Sequence, residues 1–136
     1  MFRKRKIPVL LLKDNGLVKT VKFNKKNARY IGDPINAVKI FNDLKADELI
    51  FLDINATNEN KTISYELVKD IGDEAFMPFA VGGGINNIKQ VEKILKLGAE
   101  RVVINTSAIT NKNLVGELVE EFGSSAVIVS LDIKKN

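Results

Sequence analysis

The fold is decided by residues 78–85, which read Pro-Phe-Ala-Val-Gly-Gly-Gly-Ile. An apolar run breaks abruptly into three glycines, and apolar residues at helical spacing follow from Ile88 to Leu97. A strand that leads directly into a helix is typical of the β/α unit of a parallel sheet. Ligands of such folds bind where the strands end. The glycines are therefore predicted to lie on the functional face of the protein.

Two other stretches of the same kind flank this one. Residues 51–57 read Phe-Leu-Asp-Ile-Asn-Ala-Thr, and residues 103–107 read Val-Ile-Asn-Thr-Ser. Each is an apolar run that ends in small or polar residues, and the three stretches recur at intervals of about 20 to 30 residues. This rhythm predicts successive parallel β/α units whose polar strand ends meet at one edge of the sheet.

Apolar periodicity places the other elements around these strands. Asp33 and Pro34 predict a helix start, because a capping carboxylate precedes a proline at the first helical position. Residues 24–32 are polar and predict a loop. The predicted strands are residues 7–12, 17–23, 49–54, 78–81, 101–104 and 126–131, and the predicted helices are residues 34–45, 63–72, 88–97 and 111–122.

The sequence also contains an internal echo, since residues 44–53 parallel residues 97–105. The offset of about 53 residues equals two β/α units, as in a symmetric barrel. A (β/α)₈ TIM barrel needs about 250 residues, whereas this chain has 136. We therefore expect one domain, residues 1–136, that forms the first half of such a barrel. Either the chain is a piece of a longer protein, or two copies associate to close the barrel.

Composition narrows the chemistry. The chain contains neither cysteine nor histidine, so thiolate and imidazole sites are excluded, and we expect no metal and no cofactor. The net charge of +4 suits a phosphorylated small molecule. The only basic cluster, residues 3–6, lacks interleaved aromatic residues, which argues against nucleic acid. No segment is long and apolar enough to span a membrane, so we expect a cytoplasmic protein.

Polar residues at the strand ends are candidate site residues. Gly83 and Gly84 allow backbone amides to approach an anion before a helix start, although a tight turn would also require them. Asn105 and Thr106 add amide and hydroxyl donors beside them. Asp53 follows another strand, where its carboxylate can act as a general acid or base or can cap the following turn.

The same two interpretations apply to Asp132, which follows the last strand. Arg5, Glu48 and Arg101 instead lie at strand starts, on the opposite face of a barrel. They could form ion pairs that stabilise the barrel bottom, or a charged gate to a central passage.

The order and spacing of several motifs resemble the cyclase subunit of imidazole glycerol phosphate synthase. These motifs are residues 4–8, Lys13-Asp14, Gly32-Asp33-Pro34, residues 46–54, residues 81–85 and Phe122-Gly123-Ser124. The resemblance spans the chain and corresponds to the N-terminal half of that family's barrel. It implies a lyase of the cyclase type that receives ammonia from a glutaminase partner docked on the N-terminal barrel face.

In histidine biosynthesis, such a subunit forms imidazole glycerol phosphate and aminoimidazole carboxamide ribotide. The resemblance implies that Gly84, Asn105 and Thr106 hold a substrate phosphate, and that Asp132 is a catalytic acid or base. Lys19 would lie on a mobile loop near the substrate. Arg5, Glu48 and Arg101 would form the ammonia gate, with Arg101 in place of the family's usual lysine.

One position departs from the family pattern. At the end of the first strand the family carries Leu-Asp-Val-Lys-Asp, with a catalytic aspartate, whereas residues 10–14 here read Leu-Leu-Leu-Lys-Asp. Leu11 cannot transfer a proton. This departure resembles a paralogous group that serves acetamidino-sugar synthesis for surface polysaccharides. The alternatives are a true histidine-pathway cyclase and a non-catalytic ammonia-channel scaffold.

Overall fold

The computed structural model describes residues 3–20, 28–56 and 61–133. The strands of this part are Val9–Lys13 (β1), Gly16–Lys19 (β2), Arg29–Gly32 (β3), Leu49–Asp53 (β4), Phe79–Gly82 (β5), Arg101–Ile104 (β6) and Val127–Val129 (β7). The helices are Pro34–Asp43 (α1), Tyr65–Glu74 (α2), Ile88–Lys96 (α3), Thr106–Thr110 (α4) and Leu114–Phe122 (α5). A single 3₁₀ turn, Ser124–Ala126, precedes β7.

The strands form one sheet in the order β3-β2-β1-β4-β5-β6-β7. Strands β1, β4, β5, β6 and β7 are parallel to their neighbours in that order, and helices connect successive parallel strands from β4 onward. The predicted α/β fold class is confirmed, because these are the β/α units of the first half of a (β/α)₈ barrel.

Strand β3 corrects the prediction of a loop over residues 24–32. Arg29 and Tyr30 pair with Lys19 and Val18, so that β2 and β3 form an antiparallel ribbon beside β1. Backbone pairing between segments gives this strand its structure, although its sequence shows no clear apolar alternation. The predicted second strand extends to residue 23, but residues 21–27 lie outside the described part of the chain.

Helix α4 also differs from the prediction, because the sequence pattern indicated only one helix over residues 111–122. A short helix of five residues, α4, precedes this range, and α5 begins at Leu114 within it. One turn and a half is too short to show an apolar period. Helices α1, α2 and α3 begin where predicted to within two residues, and α5 begins three residues late. Asp33 caps α1 by accepting a hydrogen bond from the Asn36 amide at 3.2 Å.

The hydrophobic core lies between the sheet and the helices. Successive residues of a strand face opposite sides of a sheet, and the fully buried Leu12, Leu49 and Phe51 face the helices. Leu11 and Leu52 face the other side and are only half-buried. The helices therefore cover one face, and the site lies at an end of the other. Within the described residues, no helix has the length and apolar character that crossing a bilayer requires.

Candidate functional site

The carboxyl ends of β4, β5 and β6 surround a cavity of about 470 Å³. Parallel strands bring their ends to one edge of the sheet, which is why residues from distant parts of the chain meet here. The lining includes six of the predicted site residues: Asp53, Gly83, Gly84, Asn105, Thr106 and Asp132.

The glycine loop, residues 82–85, forms one wall of this cavity. Gly83 and Gly84 have φ angles of +128° and +67°, which favour glycine. A Cβ atom on Gly84 would lie 1.7 Å from the Lys61 carbonyl oxygen. The Gly83 carbonyl accepts a hydrogen bond from the Ile63 amide at 3.0 Å. The packing of neighbouring backbone therefore requires glycine here, whether or not the loop also binds an anion.

The N-terminus of α3 follows the glycine loop and is closed by its own side chains. Gln90 Oε1 accepts hydrogen bonds from the Asn86 and Asn87 amides at 2.7 and 3.3 Å. The Gln90 amide donates to Asn87 Oδ1 at 2.9 Å, which completes a capping box. These three amides are therefore occupied by side-chain oxygens. An anion in the cavity would instead be contacted by the glycine loop and the end of β6.

The facing wall consists of residues 105–107, which are the N-cap and the first two residues of α4 and are here called the β6 loop. Asn105 stands at the N-cap position of α4, but its side chain makes no capping hydrogen bond. Its Nδ2 atom instead donates to Asp132 Oδ2 at 3.1 Å. Ser107 Oγ donates to the Ile85 carbonyl of the glycine loop at 2.7 Å. The first contact places the Asp132 carboxylate at the cavity, and the second joins the two loops.

Asp53 also lines the cavity, and part of its carboxylate is engaged locally. Its Oδ1 atom accepts hydrogen bonds from the Asn55 and Ala56 amides at 2.9 and 3.1 Å. This is the turn-capping geometry that aspartate favours at strand ends. The arrangement supports the structural interpretation of Asp53, as a residue that shapes the loop after β4.

Two predicted residues lie apart from this group. Lys19 ends β2, pairs with Arg29 and is exposed, and it does not line the cavity. Leu11 pairs with Val18 on one side and with Leu52 on the other. Because Leu52 lines the cavity and paired residues of parallel strands share a face, Leu11 presents an apolar side chain toward the face on which the cavity opens.

The opposite end of the strands holds a buried carboxylate between two arginines. Glu48 is 1% exposed, its Oε2 atom accepts a hydrogen bond from Arg5 Nη2 at 2.9 Å, and Arg101 Nη1 lies 3.7 Å from the same oxygen. The arginine side chains are 51% and 35% exposed. Glu48 Oε1 is buried and has no hydrogen-bond partner within residues 3–20, 28–56 and 61–133. The structure brings the three predicted residues into one cluster.

Asp47 anchors the segment before β1 beside this cluster. The Lys6 amide donates to Asp47 Oδ2 at 2.7 Å, and Arg3 forms an ion pair with the same carboxylate. The hydrogen bond from the Lys6 amide is the main cause that holds the pKa of Asp47 below its usual value, with Arg3 and Arg5 adding to it. The described residues contain no group of three or more carboxylates placed to hold a metal ion.

Sequence reasoning did not single out Gln90, Asn86, Thr110 and Ser130, which also line the cavity. The spacing of Asn87 and Gln90 is a capping-box signal that could have located the start of α3. It does not reveal that these residues border a cavity, because that depends on how neighbouring units pack.

The sequence is similar to those of known proteins. The family described as histidine biosynthesis protein matches residues 5–136. A Pseudomonas aeruginosa protein provisionally named imidazole glycerol phosphate synthase subunit hisF2 is 50% identical over 99% of this chain and 53% of its own length. A Vibrio vulnificus protein provisionally named subunit hisF3 is 47% identical over 99% of this chain and 51% of its own. The Streptococcus mutans protein named imidazole glycerol phosphate synthase subunit HisF is 42% identical over 99% of this chain and 53% of its own length.

This chain spans about half the length of these relatives. The matched region covers 99% of this chain in each case, so it includes both ends of the sheet described above. The chain belongs to the histidine biosynthesis protein family, and its resemblance to the imidazole glycerol phosphate synthase subunits is confirmed.

Proposed function

We propose that this chain is the N-terminal part of a cyclase-type synthase subunit that uses ammonia from a glutaminase partner on a phosphorylated substrate. The observation that carries the proposal is the placement of polar residues at both ends of the strands of one sheet. Asn105 and Asp132 lie at the carboxyl ends of the strands, in the cavity, and Glu48 lies buried at their amino ends. One end suits a substrate, and the other suits the entry of a small polar molecule.

The donors and the volume of the cavity support the proposal that the substrate is phosphorylated. Backbone amides at positive-φ glycines and the hydroxyl of Thr106 are donors that suit phosphate oxygens. The cavity volume of about 470 Å³ falls within the range of small-molecule sites. The overall charge of +4 attracts an anion rather than repelling it.

Asp132 supports a chemical role for the subunit. Its carboxylate is exposed to the cavity and is held by one hydrogen bond from Asn105. A carboxylate in this position can accept a proton from one substrate atom and donate it to another. The chain has no histidine, so carboxylates are the natural choice for such transfers. A purely passive scaffold would have no use for this arrangement.

Exposed apolar residues in loops at the amino ends of the strands support a partner on the N-terminal face. Phe76 is 88% exposed and Leu44 is 69% exposed, in loops that precede β5 and β4. These are inner strands of the sheet, so an open sheet edge does not explain the exposure. Asn42 orders this patch, because it donates to the Glu74 carbonyl at 3.0 Å and accepts from the Phe76 amide at 2.9 Å. Ordered, exposed aromatic residues are typical of protein interfaces.

Leu11 directs the proposal toward the paralogue that serves amidination of surface-polysaccharide sugars. The family's second catalytic carboxylate is missing at a position that faces the cavity side of the sheet. Loss of an essential acid or base costs about 10²–10⁴-fold in rate. Ammonia delivery through the Glu48 cluster does not depend on that carboxylate. The relatives from Pseudomonas and Vibrio bear numbered subunit names, which is consistent with duplicated genes.

Complementation of a strain that lacks the histidine cyclase tests this assignment. The full-length gene is expressed beside the Streptococcus mutans subunit HisF as a positive control, and growth is measured without histidine. We expect the control to restore growth and the full-length gene to fail. Growth with the full-length gene would favour the alternative, a true cyclase that forms imidazole glycerol phosphate and aminoimidazole carboxamide ribotide.

A second experiment tests the use of ammonia. A glutaminase subunit from the same organism is purified, and its glutamine hydrolysis is measured with and without the purified full-length protein. If the glutaminase docks on the surface formed by Phe76 and Leu44, Phe76→Asp should abolish the stimulation of hydrolysis. The control is Ile109→Asp, which changes an exposed apolar residue at the other end of the sheet and should leave the stimulation intact. Stimulation that survives in Phe76→Asp would place the partner elsewhere.

A further inference from the structure

We infer that Ser107 is a positioning residue that holds the glycine loop and the β6 loop at the spacing a phosphate group requires. The inference rests on the phosphate site of the proposed function and goes beyond it, because Ser107 acts through backbone and not on the substrate. Its basis is the 2.7 Å hydrogen bond from Ser107 Oγ to the Ile85 carbonyl, which joins residues 22 positions apart.

The hydrogen bond occupies the hydroxyl of Ser107. A serine hydroxyl has one proton to donate, and here that proton points to the Ile85 carbonyl. In this conformation Ser107 cannot also donate to an anion in the cavity, although its residue type suggests a ligand. Ile85 is buried and Ser107 is half-buried, so water competes poorly for this carbonyl. The bond is therefore a fixed part of the cavity wall.

The location of the bond gives it a specific effect. Strands β5 and β6 are paired up to Gly82 and Val103. Beyond this point the two segments diverge into the glycine loop and the β6 loop, and the Ser107–Ile85 bond joins them again past the end of the strand pairing. Glycine can adopt a wide range of backbone conformations. The Ser107–Ile85 bond therefore acts together with the Ile63–Gly83 hydrogen bond on the opposite side of the loop to limit the positions that the amides of Gly83 and Gly84 can adopt.

Binding energetics then separate this role from catalysis. Phosphate must be contacted from both loops at once, so a variation in their spacing weakens binding. Asp132 is held by Asn105 and not by Ser107, so the reacting end of the site keeps its geometry. Loss of the bond should therefore raise the KM for the phosphorylated substrate and leave kcat nearly unchanged.

The test measures the Kd of the full-length protein for inorganic phosphate by isothermal titration calorimetry. A single hydrogen bond of this kind changes an equilibrium by about three- to tenfold. We expect Ser107→Ala to raise the Kd by that factor and Ser107→Thr, which keeps the hydroxyl, to bind within about twofold of the wild type. The matched control is Ser64→Ala, which removes the hydroxyl that caps α2 at the Leu67 amide and lies outside both loops.

A second pair of variants keeps the test decisive if Ser107→Ala does not fold. Ser107→Thr and Ser107→Val have nearly the same shape and differ only by a hydroxyl in place of a methyl group. We expect the valine variant alone to bind phosphate weakly. Steady-state kinetics on the same proteins should show the change in KM and not in kcat.

Three outcomes would overturn the inference. If Ser107→Ala binds phosphate with the same Kd as the wild type, the bond does not position the loops. Equal weakening in Ser107→Ala and Ser64→Ala would show a general loss of stability. Absence of phosphate binding in the wild type would remove the site itself. By contrast, phosphate binding that depends on Ser107 in a protein with no ammonia-dependent activity would support the inference and reject only the proposed function.

Discussion

The two ends of the parallel strands each hold a carboxylate beside hydrogen-bond donors, but in opposite surroundings. Asp132, at the carboxyl ends, is exposed, borders a cavity and has one contact with Asn105. Glu48, at the amino ends, is buried and lies between Arg5 and Arg101. The exposed carboxylate can meet a ligand and exchange protons, whereas the buried one is held in place as a charge. Burial, more than residue type, therefore decides which of the two carboxylates is accessible to a ligand.

Substitution at the exposed end should have the largest effect, on rate. In the full-length protein, Asp132→Asn keeps the shape and the contact with Asn105 but cannot transfer a proton. We expect glutamine-dependent product formation to fall about 10²–10⁴-fold, with little change in Tm. Asp70→Asn, on the exposed side of α2, is the matched control. Activity retained in Asp132→Asn would favour the non-catalytic scaffold and would remove the chemical half of the comparison.

The glycine loop at the same end should show the largest effect on stability. Gly84→Ala places a Cβ atom 1.7 Å from the Lys61 carbonyl oxygen at a φ of +67°, and we expect a loss of about 3 kcal/mol or more. Gly116→Ala is the control, because no atom lies within 4 Å of the new Cβ in α5. That variant should gain about 0.5–1 kcal/mol from helix propensity. Urea denaturation measures both, and similar values for the two variants would contradict the close approach.

The buried end should respond to the loss of charge. Glu48→Gln leaves Arg5 and Arg101 without their carboxylate partner, and we expect the free energy of unfolding to fall by about 2 kcal/mol. This value is below the usual cost of breaking a buried pair because both arginines are partly exposed to solvent. Glu92→Gln breaks an exposed ion pair with Lys96 and should cost less than about 0.5 kcal/mol. Equal losses in the two variants would show that burial does not distinguish this end.

Asp47 should give the smallest effect, and a dependence on pH. Because the pKa of Asp47 is lowered in the folded protein, mainly by the Lys6 amide, its stabilising contribution is present above the unfolded pKa of about 3.9 and is lost as the pH falls below that value. Wild type should therefore exceed Asp47→Asn in stability at pH 7, and the difference should vanish in strong acid. Thermal melts of both proteins from pH 7 to pH 2 measure this difference in stability. A difference that does not change with pH would show that the Asp47 carboxylate does not contribute in this way.

Sequence reasoning located the elements at both ends better than the contacts between them. The run into Gly82 predicted β5, and Glu48 before Leu49 predicted a charge at a strand start, because these signals are local. The hydrogen bonds from Asn105 to Asp132 and from Ser107 to Ile85 span 27 and 22 residues. No periodicity encodes such pairs, because they depend on how adjacent β/α units pack. Strand β3 escaped prediction for the same reason, since backbone pairing with β2 forms it.

The pairing of Glu48 with Arg101 has a consequence for the history of the fold. These residues occupy equivalent positions of the internal repeat, 53 residues apart, at the start of β4 and β6. Two identical units would place the same side chain at both positions, and two carboxylates or two guanidinium groups so close together would repel each other. The contact therefore exists only because the two units have diverged at this position. A symmetric arrangement of two identical units would therefore lack this contact, and Arg5 would be the partner of a glutamate at position 48.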